Sequence, residues 1–159
     1  MYETMQYASP VGVLTLAGEG EKLVGLWIEG QKYFGAGLEL RAAGALPALE
    51  RAANGLDQYF AGERPDPAEL PLAPIGTPFQ RAVWKQLCEI PYGETISYGE
   101  LARRVQSSAR AVGSAVGKNP ISIIVPCHRV VGTDGGLTGY AGGVERKRWL
   151  LMHEGVELK

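Results

Sequence analysis

A cysteine and a histidine lie side by side in the C-terminal half of the chain, in the run Pro126-Cys127-His128-Arg129-Val130. A free thiol with a pKa near roughly 8.5 is mostly protonated at neutral pH, so Cys127 becomes a nucleophile only if a base removes its proton. His128 is the candidate base. These two residues predict chemistry carried out by a sulfur atom.

The run from Ile124 to Val131 is apolar and predicts a strand that opens into a glycine-rich loop. Adjacent residues on an extended strand point to opposite faces. Cys127 and His128 can therefore cooperate only if the backbone turns here or a water molecule connects them. The alternative for His128 is an ordinary histidine at a strand end with a satisfied hydrogen bond.

Composition limits the setting in which this chemistry occurs. The chain has 159 residues, 21% charged and 45% hydrophobic, with no apolar run of about 18 residues, so no membrane partner is expected. The N-terminus lacks the basic and apolar segments of a signal peptide, which predicts a cytoplasmic location. Cys88 and Cys127 then occupy a reducing compartment, where neither a disulfide nor a zinc site is expected. Cys88 falls beside the apolar face of a predicted helix and is interpreted as a packed residue.

Charge is distributed unevenly along the chain. Residues 1 to 76 carry 5 Lys/Arg and 10 Asp/Glu, whereas residues 77 to 159 carry 11 and 7. The formal net charge of -1 therefore combines -5 in the first part with +4 in the second. Any attraction for phosphate has to come from the second part, although surface charge without a partner is the alternative.

Residues 1 to 74 predict a small α/β domain with an antiparallel sheet. Apolar alternation from Val11 to Ala17, followed by a turn and a second apolar run from Leu23 to Ile28, predicts a hairpin. A helix is predicted from Pro47 to Phe60, with apolar residues at spacings of three and four: Leu49, Ala53, Leu56 and Phe60. Four prolines between Arg64 and Pro74 predict a linker and place the domain boundary there.

Residues 75 to 159 predict a mostly helical domain. Thr77-Pro78-Phe79-Gln80 forms a capping box and starts a helix to about Ile90, with its apolar face formed by Phe79, Val83, Trp84, Leu87 and Ile90. A second capping box, Ser97 to Glu100, starts a short helix through Val105, and Ser107-Ser108 starts another through Val116. Two short helices with a tight turn between them fit a helix-turn-helix. The chain is thus predicted to be α+β, with a winged-helix-like second domain.

These motifs resemble the O6-alkylguanine-DNA alkyltransferases, also called methylated-DNA--protein-cysteine methyltransferases. The resemblance begins at about Pro10 and is most specific in four segments: Asn119-Pro120, Pro126-Cys127-His128-Arg129-Val130, Tyr140-Ala141-Gly142-Gly143 and His153-Glu154-Gly155. It implies a monomeric DNA-repair enzyme that uses no cofactor and no metal. Such a protein transfers the alkyl group of O6-alkylguanine, and of O4-alkylthymine, in double-stranded DNA irreversibly to its own cysteine, exposed at the floor of a base-sized recess.

The resemblance also implies roles for residues around the thiol. His128 acts through a water molecule and is oriented by Glu154, for which a solvated charge at a helix end is the alternative. The Asn119 side chain joins two adjoining turns, although capping of its helix is the alternative. Tyr98 helps to rotate the phosphate and donates a proton or hydrogen bond to the purine. The base pocket is lined by Tyr140, Ala141 and Gly142, while the carbonyls of Cys127 and Val130 accept the guanine amino hydrogens. Packing is the alternative for both tyrosines.

The second helix of the predicted helix-turn-helix is thin and carries one long cation, Arg110. Its other candidate DNA-binding residues are small or short: Ala109, Ala111, Gly113 and Ser114. The resemblance implies that this helix enters the minor groove and that Arg110 replaces the extruded nucleotide in the base stack. Short helical hairpins are also common in ordinary cores, which is the alternative.

The chain departs from the family pattern at three places. The turn before Arg110 lacks the Gly and Pro often present in relatives and is slightly shorter, which affects the pose of that arginine. Ala141 replaces a serine that some relatives use near O6. The cysteine and histidine ligands of an N-terminal zinc site found in some relatives are absent.

Three other functions compete with alkyl transfer. A lesion sensor that binds the damaged base without reacting would lack the reactive cysteine, so Cys127 disfavours it. A cysteine hydrolase built on Cys127, His128 and Glu154 is disfavoured because peptidases usually draw Cys and His from distant segments. A transcription factor is disfavoured by the small residues of the second helix and by the spare thiol.

Overall fold

The computed structural model describes residues 2–42 and 46–158, which fall into two compact units. The first unit contains residues Met1–Ile75 together with Pro120–Ile124, and the second contains Gly76–Asn119 and Val125–Lys159. The sequence analysis placed a single boundary at residue 74 and did not anticipate that a five-residue segment of the second half groups with the first unit. Within the described residues no helix combines the length and apolar character needed to cross a bilayer.

The first unit is built on a four-stranded sheet. Its strands are β1 (Tyr2–Ser9), β2 (Gly12–Glu19), β3 (Lys22–Ile28) and β4 (Leu40–Ala42), in the order β3-β2-β1-β4. The predicted hairpin is confirmed as β2 and β3, and antiparallel pairing continues to β1. Among the four described strands, β4 pairs in parallel with β1, and isolated parallel bridges join Leu23 and Leu26 of β3 to Leu72 and Ile121. The sequence analysis did not predict β1, most of which is only half-buried.

Helix α1 (Pro47–Phe60) packs on this sheet and has the predicted bounds. It begins with proline at its first position, where the missing N–H costs no hydrogen bond. Its buried residues are Ala48, Leu49, Ala52, Leu56 and Tyr59. The prediction of the buried face was therefore wrong at two positions, where Ala52 and Tyr59 are buried instead of Ala53 and Phe60.

The segment Pro120–Ile124 adds to β3 through backbone hydrogen bonds. The N–H of Leu26 donates to the Pro120 carbonyl at 2.8 Å, and the N–H of Ser122 donates to the Leu26 carbonyl at 2.9 Å. The Ser122 hydroxyl donates to Oε1 of buried Gln31 at 3.2 Å. The backbone of Ile123 has φ +73, a conformation that a β-branched residue rarely adopts. These contacts hold the segment Pro120–Ile124 against β3 within the first unit.

The second unit contains helices α2 (Pro78–Leu87), α3 (Tyr98–Arg104), α4 (Ala109–Gly117) and α5 (Val144–His153). Strands β5 (Ile96–Ser97) and β6 (Val130–Val131) form a short parallel pair. The predicted capping box of α2 is confirmed, since both reciprocal hydrogen bonds between Thr77 and Gln80 are present. The predicted helix end at Ile90 and the assignment of Phe79 to the buried face were wrong, because α2 ends at Leu87 and Phe79 is exposed.

Helices α3 and α4 form the predicted helix-turn-helix, with N-caps at Ser97 and Ser108. Helix α3 ends in a Schellman motif. The N–H of Gln106 donates to the Arg103 carbonyl at 3.2 Å, and the N–H of Ser107 donates to the Ala102 carbonyl at 2.9 Å. Gln106 occupies the left-handed position of this motif with φ +55, where glycine is the usual residue.

Candidate active site

The backbone turns sharply at the candidate nucleophile. Cys127–Arg129 form a single turn of 3-10 helix, and the N–H of Cys127 donates to the Val125 carbonyl at 2.8 Å. The prediction of a continuous strand from Ile124 to Val131 was therefore wrong, since only Val130–Val131 are extended. On an extended strand the side chains of Cys127 and His128 would point to opposite faces, and the turn removes that constraint.

The imidazole of His128 is completely buried and bonds to Glu154. Its Nε2 lies 2.6 Å from Oε2 of Glu154. Because a carboxylate can only accept a hydrogen bond, Nε2 carries the hydrogen of the neutral ring and Nδ1 carries the lone pair. Nδ1 is buried and has no hydrogen-bond partner among the described residues. The ring therefore presents a basic nitrogen on the side away from Glu154.

Glu154 reaches this position because α5 ends one residue before it. The N–H of Gly155 donates to the Met152 carbonyl, and the N–H of Val156 donates to the Leu151 carbonyl, both at 3.0 Å. This Schellman motif needs a left-handed residue, and Gly155 supplies it with φ +83. The His153-Glu154-Gly155 sequence thus ends the helix and fixes the backbone from which the buried carboxylate projects, so Glu154 is not a solvated helix-end charge.

The second oxygen of Glu154 binds Arg129 and the backbone. Nε of Arg129 donates to Oε1 at 2.8 Å, and the N–H of Gly93 donates to the same oxygen at 3.3 Å. Burial by itself would raise the pKa of Glu154, but the hydrogen bonds and charges of His128 and Arg129 outweigh it and hold the pKa well below its usual range. The carboxylate is therefore ionised throughout the neutral range.

The thiol of Cys127 is buried among polar side chains. The residue is only 4% exposed, so the expectation of an exposed sulfur was wrong for this state of the molecule. Burial raises its pKa, while hydrogen bonding to Asn119 and Tyr140 and the charge of Lys147 act in the opposite direction. The pKa of His128 is lowered by its own burial, against the effect of Glu154. Thiol and imidazole are thus both held in their neutral forms at rest.

Asn119 follows the last turn of α4 and is buried. Its Nδ2 donates to the carbonyl of Val125 at 2.8 Å. The side chain therefore bonds across to the turn that precedes the cysteine, as the resemblance implied.

Lys147 is a buried cation that the sequence analysis missed. It lies on α5, and its Nζ donates to the Thr138 carbonyl at 2.8 Å and to the Gly139 carbonyl at 3.4 Å. Burial lowers its pKa from 10.5 to about 8, and the nearby thiol acts in the opposite direction. A sequence signal existed, because Lys147 precedes Leu150 and Leu151 by three and four residues and so shares their face of the helix.

Tyr98 connects the thiol with the helix-turn-helix. Its ring lies 5.9 Å from Nζ of Lys147 and within van der Waals range of a side chain placed at Gly113. Burial raises the pKa of its phenol, a hydrogen bond from Thr138 lowers it, and the charge of Cys127 raises it. Tyr98 is thus near both the nucleophile and the candidate DNA-binding helix.

The remaining candidate pocket residues belong to the loop before α5 and to β6. Tyr140 and Ala141 are half-buried, whereas Gly142 and Val130 are buried. The Cys127 carbonyl already accepts a hydrogen bond from the N–H of Val130. One lone pair of that carbonyl stays available for a base, because a carbonyl oxygen can accept two hydrogen bonds.

The candidate DNA-binding residues divide by exposure. Ala109, Arg110 and Ser114 are exposed, and Ala111 and Gly113 are half-buried. The opposite face of α4 is buried through Val112, Ala115 and Val116. The indole N–H of Trp84 donates to the Ala115 carbonyl at 2.8 Å and ties α4 to α2. The helix therefore presents a surface of small residues around one long cationic side chain.

Two family models match the chain and together cover most of it. The model described as "6-O-methylguanine DNA methyltransferase, DNA binding domain" matches residues 78–156. The model described as "6-O-methylguanine DNA methyltransferase, ribonuclease-like domain" matches residues 1–74.

Individual proteins and a solved structure are also similar to this chain. A methylated-DNA--protein-cysteine methyltransferase of Haemophilus influenzae is 44% identical, covering 94% of this chain and 84% of the relative. One from Mycobacterium tuberculosis is 51% identical, covering 92% and 88%. The crystal structure of Mycobacterium tuberculosis OGT in complex with DNA has a TM-score of 0.83 and 47% identity, covering 96% of this chain and 91% of that one.

Proposed function

Because the chain belongs to the family of methylated-DNA--protein-cysteine methyltransferases, which repair DNA by alkyl transfer to a cysteine, we propose that Cys127 is the acceptor of that group. The other cysteine, Cys88, is the C-cap residue of α2. Cys127 instead lies beside a buried imidazole and carboxylate that form a 2.6 Å hydrogen bond. This pairing carries the proposal, because it supplies a route for the thiol proton.

His128 takes the proton of Cys127 through one water molecule. The buried Nδ1 of His128 needs a donor, and a water between it and Sγ would satisfy both groups. Glu154, which is ionised, stabilises the imidazolium that forms. The low polarity that keeps thiol and imidazole neutral at rest also makes the resulting ion pair strong once it forms.

The transfer is a displacement at saturated carbon. A bond forms between Sγ and the alkyl carbon while the bond from that carbon to guanine O6 breaks, and the electron pair of the broken bond stays on the base. Tyr98 donates a hydrogen bond or its proton to the purine as this charge develops. The product is an S-alkylcysteine, which has no remaining thiol, so each molecule reacts once.

Damaged double-stranded DNA is the proposed substrate, and α4 is the proposed contact. A structure of the Mycobacterium tuberculosis relative contains DNA. The exposed Ala109 and Ser114 allow close approach to the minor groove, and Arg110 replaces the rotated base in the stack. Ala111 and Gly113 complete the thin surface next to Tyr98.

Entry of the base requires movement of the loop before α5. Cys127 is only 4% exposed and its thiol lies against Tyr140, so access of an alkyl carbon to Sγ displaces Tyr140 together with the adjoining Ala141 and Gly142. The carbonyls of Cys127 and Val130 then accept the guanine amino hydrogens. Ala141 leaves only backbone donors near O6, which alters the tolerance of the pocket for bulky alkyl groups. O4-alkylthymine is proposed as a second substrate on the family resemblance.

We further propose that the protein acts as a monomer in the cytoplasm. A single acceptor thiol is used per molecule, and a reducing compartment keeps it reduced. Neither Cys88 nor Cys127 forms a disulfide within the described residues.

Intact-mass measurement after incubation with an O6-methylguanine oligonucleotide tests the transfer. A gain of about 14 Da, once per molecule and located at Cys127, is expected for methylation of a thiolate. Cys127→Ser should bind DNA without gaining mass, and the matched control Cys88→Ser should react as the unmodified chain does. Repeated turnover, or methyl found on Cys88, would contradict the proposal.

A further inference from the structure

Arg129 is a buried cation whose guanidinium is held from three directions. Its Nε donates to Oε1 of Glu154 at 2.8 Å, and its Nη1 donates to the carbonyl of Ile90 at 2.7 Å. The ring of Tyr92 lies 5.7 Å from the guanidinium carbon. A fixed guanidinium of this kind determines where its carboxylate partner lies.

We propose that Arg129 is a positioning residue for alkyl transfer: it holds Glu154 so that Oε2 faces His128, and its positive charge favours the neutral imidazole, the form that can accept the thiol proton. This inference rests on the proposed role of His128 as the base. It assigns to Arg129 an effect that acts through two other side chains and needs no contact with the DNA.

The positioning role follows from the different partners of the two carboxylate oxygens of Glu154. Oε1 accepts from Arg129 and from the N–H of Gly93, while Oε2 faces the imidazole of His128. A carboxylate rotated about its own axis would lose the 2.6 Å contact with His128. The anchor at Ile90 prevents Arg129 from following such a rotation, because it is a backbone carbonyl of a different segment.

The charge part follows from the groups that surround His128. Glu154, at the end of α5, stabilises the imidazolium, whereas Arg129 on the same 3-10 turn and Lys147 on α5 destabilise it. Tyr92, from the loop after α2, contacts Arg129 through its ring. Burial is the largest cause that lowers the pKa of His128, and it outweighs the effect of Glu154. The positive charge of Arg129 acts in the same direction as burial.

Two substitutions separate charge from geometry. Arg129→Gln removes the charge, so the imidazolium becomes more stable and His128 stays protonated to higher pH. Arg129→Lys keeps the charge, but an ammonium cannot bond to Glu154 and Ile90 in the fixed directions of a guanidinium. Charge should therefore control where the pH profile rises, and geometry should control the maximum rate.

The measurement is the single-turnover rate of methyl transfer from an O6-methylguanine duplex as a function of pH. In Arg129→Gln the acid limb should move to higher pH. In Arg129→Lys the acid limb should stay in place, while the plateau rate falls by roughly tenfold or more, as expected when a reacting group is misplaced. A residue with a merely structural role would lower the amount of active protein and leave the shape of the profile unchanged.

Nitrogen NMR of the imidazole gives a second readout that does not need DNA. The chain has two histidines, so His153→Gln assigns the His128 signals. The His128 titration should shift upward in Arg129→Gln and stay in place in Arg129→Lys. If Arg129→Gln does not fold, the lysine variant alone tests the inference, because an unchanged plateau or a shifted limb in it contradicts the division of roles.

The outcomes distinguish this inference from the function on which it rests. Absence of transfer by the unsubstituted chain would refute the proposed function. Normal transfer together with an unshifted acid limb in folded Arg129→Gln would overturn only the role of Arg129.

Discussion

The side-chain amide of Asn119 donates a 2.8 Å hydrogen bond to the carbonyl oxygen of Val125. These two residues flank the segment Pro120–Ile124, which hydrogen-bonds along β3. The bond therefore joins the residues at the two ends of that segment. It also fixes Val125, whose carbonyl accepts the N–H of Cys127 at 2.8 Å.

Replacing Asn119 with alanine should affect both stability and the thiol. The Val125 carbonyl would lose one buried donor, which costs about 1 to 3 kcal/mol in the free energy of unfolding. Because Asn119 lowers the pKa of Cys127, the thiol should also need higher pH to react. Urea unfolding and the pH dependence of iodoacetamide labelling measure the two effects. Lys118→Ala, at the exposed neighbouring position, is the control, and an equal effect there would contradict the prediction.

Local signals in the sequence predicted the helix starts well. Thr77, Ser97 and Ser108 cap helices as expected, because a capping hydrogen bond spans only three residues and depends on little else. The helix-turn-helix followed from two such starts. Its turn departed from the family pattern at the place where Gln106 now occupies a left-handed position.

Distant contacts explain what the sequence did not reveal. The turn at Cys127 depends on a carbonyl that Asn119 holds from six residues away, whereas the local apolar run predicted a strand. Burial of Lys147 depends on two carbonyls of the loop before α5. The orientation of Glu154 toward His128 joins residues 26 positions apart and came only from the family resemblance.

His128 should make the protein less stable as the pH falls below about 6.5. Burial lowers its pKa in the folded state, so between that pKa and about 6.5 the unfolded chain binds more protons. The stability that it contributes is complete above the unfolded pKa and is lost on acidification, with a slope of at most about 1.4 kcal/mol per pH unit. Urea titrations at several pH values should show this slope in His153→Gln and not in His128→Gln. A slope retained in His128→Gln would assign it to another group.

Lys147 should support the thiolate of Cys127 below about pH 8. Its charge lowers the pKa of the thiol, and its own pKa is about 8, so the support fades as the pH rises past that value. In Lys147→Met on a Cys88→Ser background, iodoacetamide labelling of Cys127 should require higher pH. The difference from the parent should shrink above about pH 8. Arg148→Met is the matched control because Arg148 is exposed on the same helix, and an equal shift in it would contradict the local effect.

Arg110 should matter for duplex DNA and not for the free base. It is exposed on α4 and is not among the groups that shift the pKa of the Cys127 thiol. Arg110→Ala should slow transfer from an O6-methylguanine duplex while leaving transfer from free O6-methylguanine unchanged, because only the duplex needs its base rotated out. Arg110→Lys keeps the positive charge that attracts phosphate. This variant therefore separates the effect of the charge from the effect of inserting the arginine side chain into the base stack. Equal slowing of both substrates by Arg110→Ala would rule out the base-rotation role.

Gln106→Gly should stabilise the protein, although glycine usually weakens a helical region. Gln106 is exposed and has φ +55 at the end of α3, a conformation that costs an L-residue about 1 to 2 kcal/mol. Glycine removes that cost but gains freedom in the unfolded chain, worth about 0.4 to 1 kcal/mol, so the net gain should lie between about 0 and about 1.6 kcal/mol. Gln86→Gly is the matched control, because Gln86 lies inside α2 and the same substitution there should destabilise by about 1 kcal/mol. Thermal unfolding measures both effects. A lower unfolding temperature for Gln106→Gly than for the unsubstituted chain would mean that the turn before Arg110 is not strained.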